Sequence, residues 1–315
     1  MTEPLADAQI SADAPEPGYS DKPRSLGSDA WATLRKRPTF WISAAMILVM
    51  VVMAAFPSLF TFFSPHPDLA YSELSKARQP PSGEAWFGYD NQGRDVYTRT
   101  IHGARSSILV GLLTTIAVLI FGSLIGIVSG FYGKWLDAVL SRVGEIFFAI
   151  PLLLGGILVL YTFPSDYTTP YLLVVSKVVL AIGILGWPRI ARIMRSTVLQ
   201  VKPNDYVQAA RALGASPGRI IRSHILPNAF APVVVVATID LGAYIATEAT
   251  LSFLGIGLQP PTVSWGIAIS EASGIGFLRA APHMMLFPSV FLSLTVLAFI
   301  MLGDAIQDAF DPKSR

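Results

Sequence analysis

Apolar residues gather into six long runs along this chain, at 40–63, 107–130, 143–163, 171–188, 229–254 and 284–303, with polar connectors between them. Each run approaches or exceeds the ~20 residues that an α-helix needs to cross a hydrocarbon core. The pattern predicts an all-α membrane protein with six transmembrane helices. Residues 1–30 mix Pro, Ala, Asp, Glu and Ser without a period and read as a disordered tail. The polar stretch ahead of residue 40 argues against a cleavable signal peptide, so the first run stays as a span. The division that follows is a cytoplasmic tail with a short basic segment at 1–38, a first transmembrane helix at 39–63, and an extracytoplasmic loop at 64–105. A five-helix core at 106–305, with a cytoplasmic loop at 189–228, and a cytoplasmic C-terminus at 306–315 complete it.

Composition agrees with this class: of 315 residues, 52% are hydrophobic and 14% charged, and the mean hydropathy is +0.54. Such a chain is too apolar for a water-soluble globule. Charge then orients it. With six crossings, the connectors on the side of both termini carry 16 of the 23 Lys and Arg, against 6 on the other side. That asymmetry predicts a multi-pass protein of the cell membrane with cytoplasmic N- and C-termini. A formal net charge of +2 without a concentrated basic patch does not suit nucleic acid. Cysteine is absent, which removes disulfides and thiolate chemistry.

The connector at 204–227, NDYVQAARALGASPGRIIRSHILP, is too charged for hydrocarbon. Its punctuation predicts two short helices with a sharp joint. Asn204 or Asp205 caps the first, Gly214 supplies a left-handed stop, Ser216 and Pro217 start the second, and Pro227 ends it. Tyr206, Ala209, Ala210 and Leu213 recur at three and four residues, a small-residue face fit for docking, with Gln208 and Arg211 turned elsewhere. The stretch resembles the Glu-Ala-Ala loop of permease subunits of bacterial ATP-binding-cassette importers. Ala209, Ala210, Gly214 and Pro227 match that pattern, and Gln208 stands in place of the Glu. The resemblance implies a coupling helix, in which Tyr206, Gln208, Ala209, Ala210, Arg211, Leu213 and Gly214 meet an ATPase subunit.

Two further stretches carry the same resemblance. WFGYDNQGRDVYTRTIHGARSS, from Trp86 to Ser107, is turn-rich at Gly88 and Gly93, and its Asp95–Arg105 part predicts a short amphipathic helix leading into the second span. It is similar to the C-type permease of dipeptide, oligopeptide and nickel importers, with Tyr89 where Thr is usual. FLGIGLQPP and SWG, between Phe253 and Gly266, match the same subgroup, as does the ending with Asp304, Asp308 and Asp311 before Pro312. Pro260, Pro261 and Gly266 break regular helix there, and Trp265 and Ile267 suit a short re-entrant or surface segment on the outer side. The resemblance implies a type I ATP-binding-cassette importer permease fold. The implied partners are a second homologous permease (a heterodimer), two ATP-binding cassette subunits, an extracytoplasmic substrate-binding protein and membrane lipid.

Within the spans, Gly122, Gly126 and Gly130 repeat every four residues and predict close helix packing. Asp240, Tyr244 and Glu248 recur every four residues on one broad stripe and predict a wet, translocation-path surface, Glu248 having a rim position as its alternative. Lys177 lies within reach of the outer end of its run and is expected to snorkel. No Gly-x-x-x-x-Gly-Lys-[Ser/Thr] and no HExxH occurs, so ATP and Mg are expected on partner subunits, with no cofactor or metal here. His224 reads as a packing residue, and Ser176 beside Lys177 does not make a nucleophile–base pair. The expected function is a non-catalytic permease subunit of a peptide importer. A proton-coupled secondary transporter using Asp240, Glu248 and Lys177 is the alternative, as are importers of nickel chelates, glutathione or another small solute, and a channel or scaffold subunit.

Overall fold

The structure, a computed structural model, describes residues 31–166 and 168–310. The expected tail at 1–30 and the Asp311–Pro312 ending lie outside these residues. Among the described residues the regular structure is helical: α1 (Pro38–Ala55), α2 (Pro57–Thr61), α3 (Val96–Tyr132), α4 (Lys134–Ala149), α5 (Leu152–Thr162) and α6 (Tyr171–Val201). Then follow α7 (Asp205–Ala212), α8 (Pro217–Ile220), a π turn at Ile221–Ile225, α9 (Leu226–Phe253), α10 (Trp265–Glu271), α11 (Ile275–Ala280) and α12 (His283–Phe310). Five helical stretches are long and apolar enough to cross a membrane, and the α4–α5 pair makes a sixth if its two limbs count as one span.

The largest helix–helix interface joins α3 to α6. Its basis is the four-residue glycine spacing in α3. A Cβ on Gly126 would lie 2.5 Å from the Ala191 carbonyl oxygen, and one on Gly130 would lie 3.0 Å from that of Arg195. Only hydrogen at these positions lets the two backbones approach so closely. Around that seam, Val118, Val178, Ile182, Ile190, Met194 and Val198 form a buried apolar core. A second cluster, with Met53, Ile101, Ile245, Trp265 and Phe299, ties α1, α3, α9, α10 and α12 together.

Several elements differ from what the hydrophobic pattern predicts, each for a local reason. The run at 143–163 is not one straight span. It bends by 87° between α4 and α5, because Pro151 has no N–H to continue the ladder and drives Ile150 into extended geometry. The expected amphipathic helix at Asp95–Arg105 is simply the start of α3, capped by the Asp95 side chain, which accepts from Thr98 N at 2.7 Å. Helix α6 runs on to Val201, well inside the connector assigned to 189–228, since good helix formers continue past the apolar window. Pro227 does not end the second short helix. It occupies the first turn of α9, where a missing N–H costs little, and α8 passes through the π turn into α9. Trp265 and Ile267 are buried rather than interfacial: α10 packs against α9 and α12, and the Trp265 indole, 0% exposed, donates to Thr100 O at 2.9 Å.

Candidate functional site

The connector between α6 and α9 is a compact elbow. Helix α7 begins at Asn204, whose backbone conformation suits an N-cap, but no side-chain capping bond forms; its amide donates to the Tyr206 hydroxyl at 3.2 Å instead. Gly214 has φ +82°, with open space around it, so a left-handed residue ends α7 as expected. Ser216 is extended and Pro217 opens α8, also without a side-chain capping bond. Val207 anchors the elbow: it is fully buried and belongs to the same core as Val201, Ile220 and Ile225. Lys202 adds a tether by donating to Phe131 O, at the end of α3, at 2.7 Å.

Facing away from that anchor, Tyr206, Gln208, Ala209 and Arg211 are exposed, Ala210 is partly covered, and Leu213 is 89% exposed. Gln208 donates to Lys202 O at 2.9 Å, so its amide is turned back onto its own chain. The arrangement is a rigid knob: an apolar side chain at the corner of two short helices, with Arg211 beside it and a buried valine underneath. Contact with a complementary groove is what such a surface can make. The valine escaped the sequence reading because the small-residue face drew attention to the other side of the helix.

A second feature lies midway along α6 and α9. Asp240 and Tyr244 share an open cleft of about 270 Å³ with Arg189, Gly186 and the α4–α5 bend at Phe147–Leu152. Arg189 Nη1 stands 2.8 Å from Asp240 Oδ1; the Asp240 side chain is 3% exposed and that of Arg189 56%. The approach is off the hydrogen-bonding direction, and neither Asp240 oxygen receives a well-aligned hydrogen bond. The Tyr244 ring is buried over Gly186, where a Cβ would come within 2.7 Å of the phenol oxygen. Asp240 and Tyr244 therefore line a common cavity.

Glu248 does not join them. It is 0% exposed, so the rim position does not describe it, and it accepts from Ser252 Oγ at 2.8 Å, away from the cleft that Asp240 and Tyr244 line. Ser252 in turn accepts from Leu258 N at 2.9 Å, which pins the connector after α9. Lys177 is elsewhere again, donating to Pro164 O at 2.7 Å and Ser165 Oγ at 3.3 Å. The three ionisable groups of a proton pathway are thus not brought together. Sequence reasoning missed Arg189, since no spacing rule links residues on separate helices. Nor did it link the turn at 131–142 to another helix. There, Asp137 and Arg195 form a bidentate pair (Nη2–Oδ2 2.6 Å) that clamps α4 to α6, and the Ser129 hydroxyl of α3 bonds to the same carboxylate.

The family described as binding-protein-dependent transport system inner membrane component matches residues 122–315. The chain belongs to this family. The N-terminal transmembrane domain of oligopeptide transport permease C matches residues 25–81. The dipeptide transport system permease protein DppC of Alkalihalophilus pseudofirmus is 36% identical over 313 residues, covering 99% of this chain and 97% of that protein. The oligopeptide transport system permease protein OppC of Bacillus subtilis is 36% identical, covering 94% and 92%. A glutathione transport system permease protein, GsiD of Pectobacterium atrosepticum, is 34% identical and covers 87% of each chain. Among solved structures, an inward-facing MetNI methionine ABC transporter matches with TM-score 0.54 and 21% identity over 68% of this chain and 96% of that one, which shows the shared fold. The protein is a multi-pass membrane permease of the ABC importer type, a class that works with ATPase and substrate-binding partners.

Proposed function

We propose that this chain is one of two homologous, non-catalytic permease subunits that form the membrane channel of an ATP-driven peptide importer. Two ATP-binding cassette subunits, holding ATP and Mg, dock on the elbow at Asp205–Ile220 from the cytoplasm, where both termini also lie, and an extracytoplasmic binding protein delivers the cargo. ATP binding drives the change only as far as it favours one conformation over the other. The docked elbow is where that difference enters the membrane: Val207 and Lys202 transmit movement of the knob to α3, α6 and α9. Peptide cargo is supported by the dipeptide and oligopeptide relatives, and the glutathione relatives name the competing cargo.

The single observation behind this reading is the exposed Leu213 on a rigidly anchored corner. Leu213→Glu, introduced into the complex purified from its native membrane, is expected to release the ATPase subunits and to lower ATP-dependent dipeptide uptake at least about tenfold, the cost of burying one unpaired charge at an interface. Insertion and melting temperature are expected to stay as in the parent. Uptake and subunit retention equal to the parent would remove the docking assignment, and uptake driven by an ion gradient without ATP would replace it with a secondary transporter.

A further inference from the structure

The polar groups of the cleft are arranged asymmetrically. Asp240 is held almost wholly out of solvent on the middle of α9, whereas the Arg189 guanidinium opposite is more than half exposed. A carboxylate in such surroundings needs several donors, and Asp240 has one cation at an oblique angle and no aligned hydrogen bond. The anion is fixed, and the cation can turn outward while retaining much of its hydration. The Tyr244 hydroxyl, one turn further along α9, likewise has no hydrogen-bond partner among the described residues. The remaining walls are apolar, from Phe147, Phe148, Leu152 and Leu185. Apolar walls with a few convergent, unsatisfied polar groups are the usual make-up of a small-molecule site. At about 270 Å³ the cleft falls just below the ~300–1,000 Å³ usual for such sites and has room for a terminal residue, not for a whole peptide.

We infer that this cleft is a cargo subsite that takes the α-ammonium of a peptide's first residue on Asp240, with Arg189 as the resident cation that the ammonium displaces. This rests on the peptide-import reading above. An ammonium brings three donors to a carboxylate that lacks them. The Tyr244 hydroxyl is free to bond the first peptide carbonyl, and Phe147 and Phe148 border the first side chain. When the cargo leaves, Arg189 returns and keeps the carboxylate compensated, so that the empty path never holds a lone buried charge.

The test uses the full importer, with its partner permease, ATPases and binding protein, reconstituted in liposomes, and compares uptake of alanyl-phenylalanine with that of its Nα-acetyl form. The binding protein is the same throughout, so its own preference cancels when variants are compared. Asp240→Asn is expected to reduce the preference for the free amine by about tenfold, the weight of one charge-assisted contact. Arg189→Gln, which removes the competing cation, is expected to lower KM for the free peptide, and the double variant to behave as Asp240→Asn. A structural ion pair would act otherwise: both single variants would lose both peptides alike and the double variant would recover, which overturns the subsite. If Asp240→Asn does not assemble, an unchanged or raised KM in Arg189→Gln overturns it as well. An unchanged preference in an active Asp240→Asn complex rejects the subsite alone, and a parent complex that imports neither peptide with ATP rejects the subsite together with the peptide reading.

Discussion

The connector at 64–95, outer in the proposed orientation, and the elbow at 202–226, inner in that orientation, are both polar, both turn-rich and both glycine-punctuated, yet their side chains do opposite things. In the outer connector most charged groups are paired internally, although Asn91 Oδ1 and Asp95 Oδ2 are buried without a hydrogen-bond partner. Asp90 accepts from Gln92 N and Arg94 N and pairs with Arg94 Nε at 2.6 Å, Arg94 reaches Glu271 at 2.7 Å, and Arg99 lies 3.6 Å from both acids. Lys76 pairs with Glu84 at 3.0 Å, and His66 bonds to the Tyr89 hydroxyl at 2.9 Å. Gly93, with φ +68°, presses against the Glu73 backbone, where no Cβ fits. In the inner elbow, Arg211, Arg219 and Arg222 have no ion-pair partner among the described residues, and Leu213 meets water. Charges paired within a connector hold its own shape, whereas unpaired arginines beside an exposed leucine are left available to a partner.

The largest break in this contrast is expected from Arg94→Met. It leaves Asp90 and Glu271 facing one another with only the more distant Arg99, at a cost of about 3 kcal/mol. Thermal unfolding of the purified chain in detergent checks it, and a loss below about 1 kcal/mol would show that the network is solvated. Next is Val207→Ala, which removes the buried anchor of the elbow for about 1.5 kcal/mol. Its effect is local: amide exchange in Asp205–Ala212 is expected to quicken about tenfold while the outer connector stays protected. Uniform quickening across both connectors would show that they are one cooperative unit.

A smaller effect concerns protons. Partial burial, and then the hydrogen bond to Glu73 at 2.8 Å, push the Tyr71 phenol up to about 12. The same bond, followed by that from Ser75, holds the Glu73 carboxyl below its ordinary 4.5. A carboxyl lowered by folding contributes stability that is present above 4.5 and is lost as pH falls through the folded value. Tyr71→Phe is therefore expected to raise the Glu73 midpoint toward 4.5 and flatten the acid dependence of the outer connector, read by carboxyl NMR titration. An unmoved midpoint would assign the lowering to Ser75 and Lys76. The smallest effect is expected from Arg211→Ala in the elbow. Its unfolding free energy is expected to match the parent to within about 0.5 kcal/mol, because no side-chain ion pair or hydrogen bond is lost among the described residues, while affinity for the purified ATPase subunit falls.

The count of apolar runs, the left-handed stop at Gly214, the close-packing role of Gly122, Gly126 and Gly130, and the shared face of Asp240 and Tyr244 were all legible before the fold was known. Each depends on a period or a backbone preference that acts over one or two turns. Other features were not. Pro151 signalled a break, but the hydropathy window smoothed over it, and a one-dimensional window carries no information on the 87° angle between the two limbs. Helix α6 extends past its apolar window because helix formation does not stop where hydrocarbon does. Trp265 and Glu248, an aromatic and an acid near a span's end, have the composition of an interface, and tertiary packing buries both.

Burial of apolar surface and the chirality of single residues are local properties, and they were enough to specify a helical membrane protein with a bent, exposed elbow between two spans. Partnership across helices is not local. Arg189 with Asp240, Asp137 with Arg195, and Val207 with the core beneath α7 are brought together by close packing of α3, α6 and α9, and the distance between two charges on different helices has no counterpart in their separation along the chain.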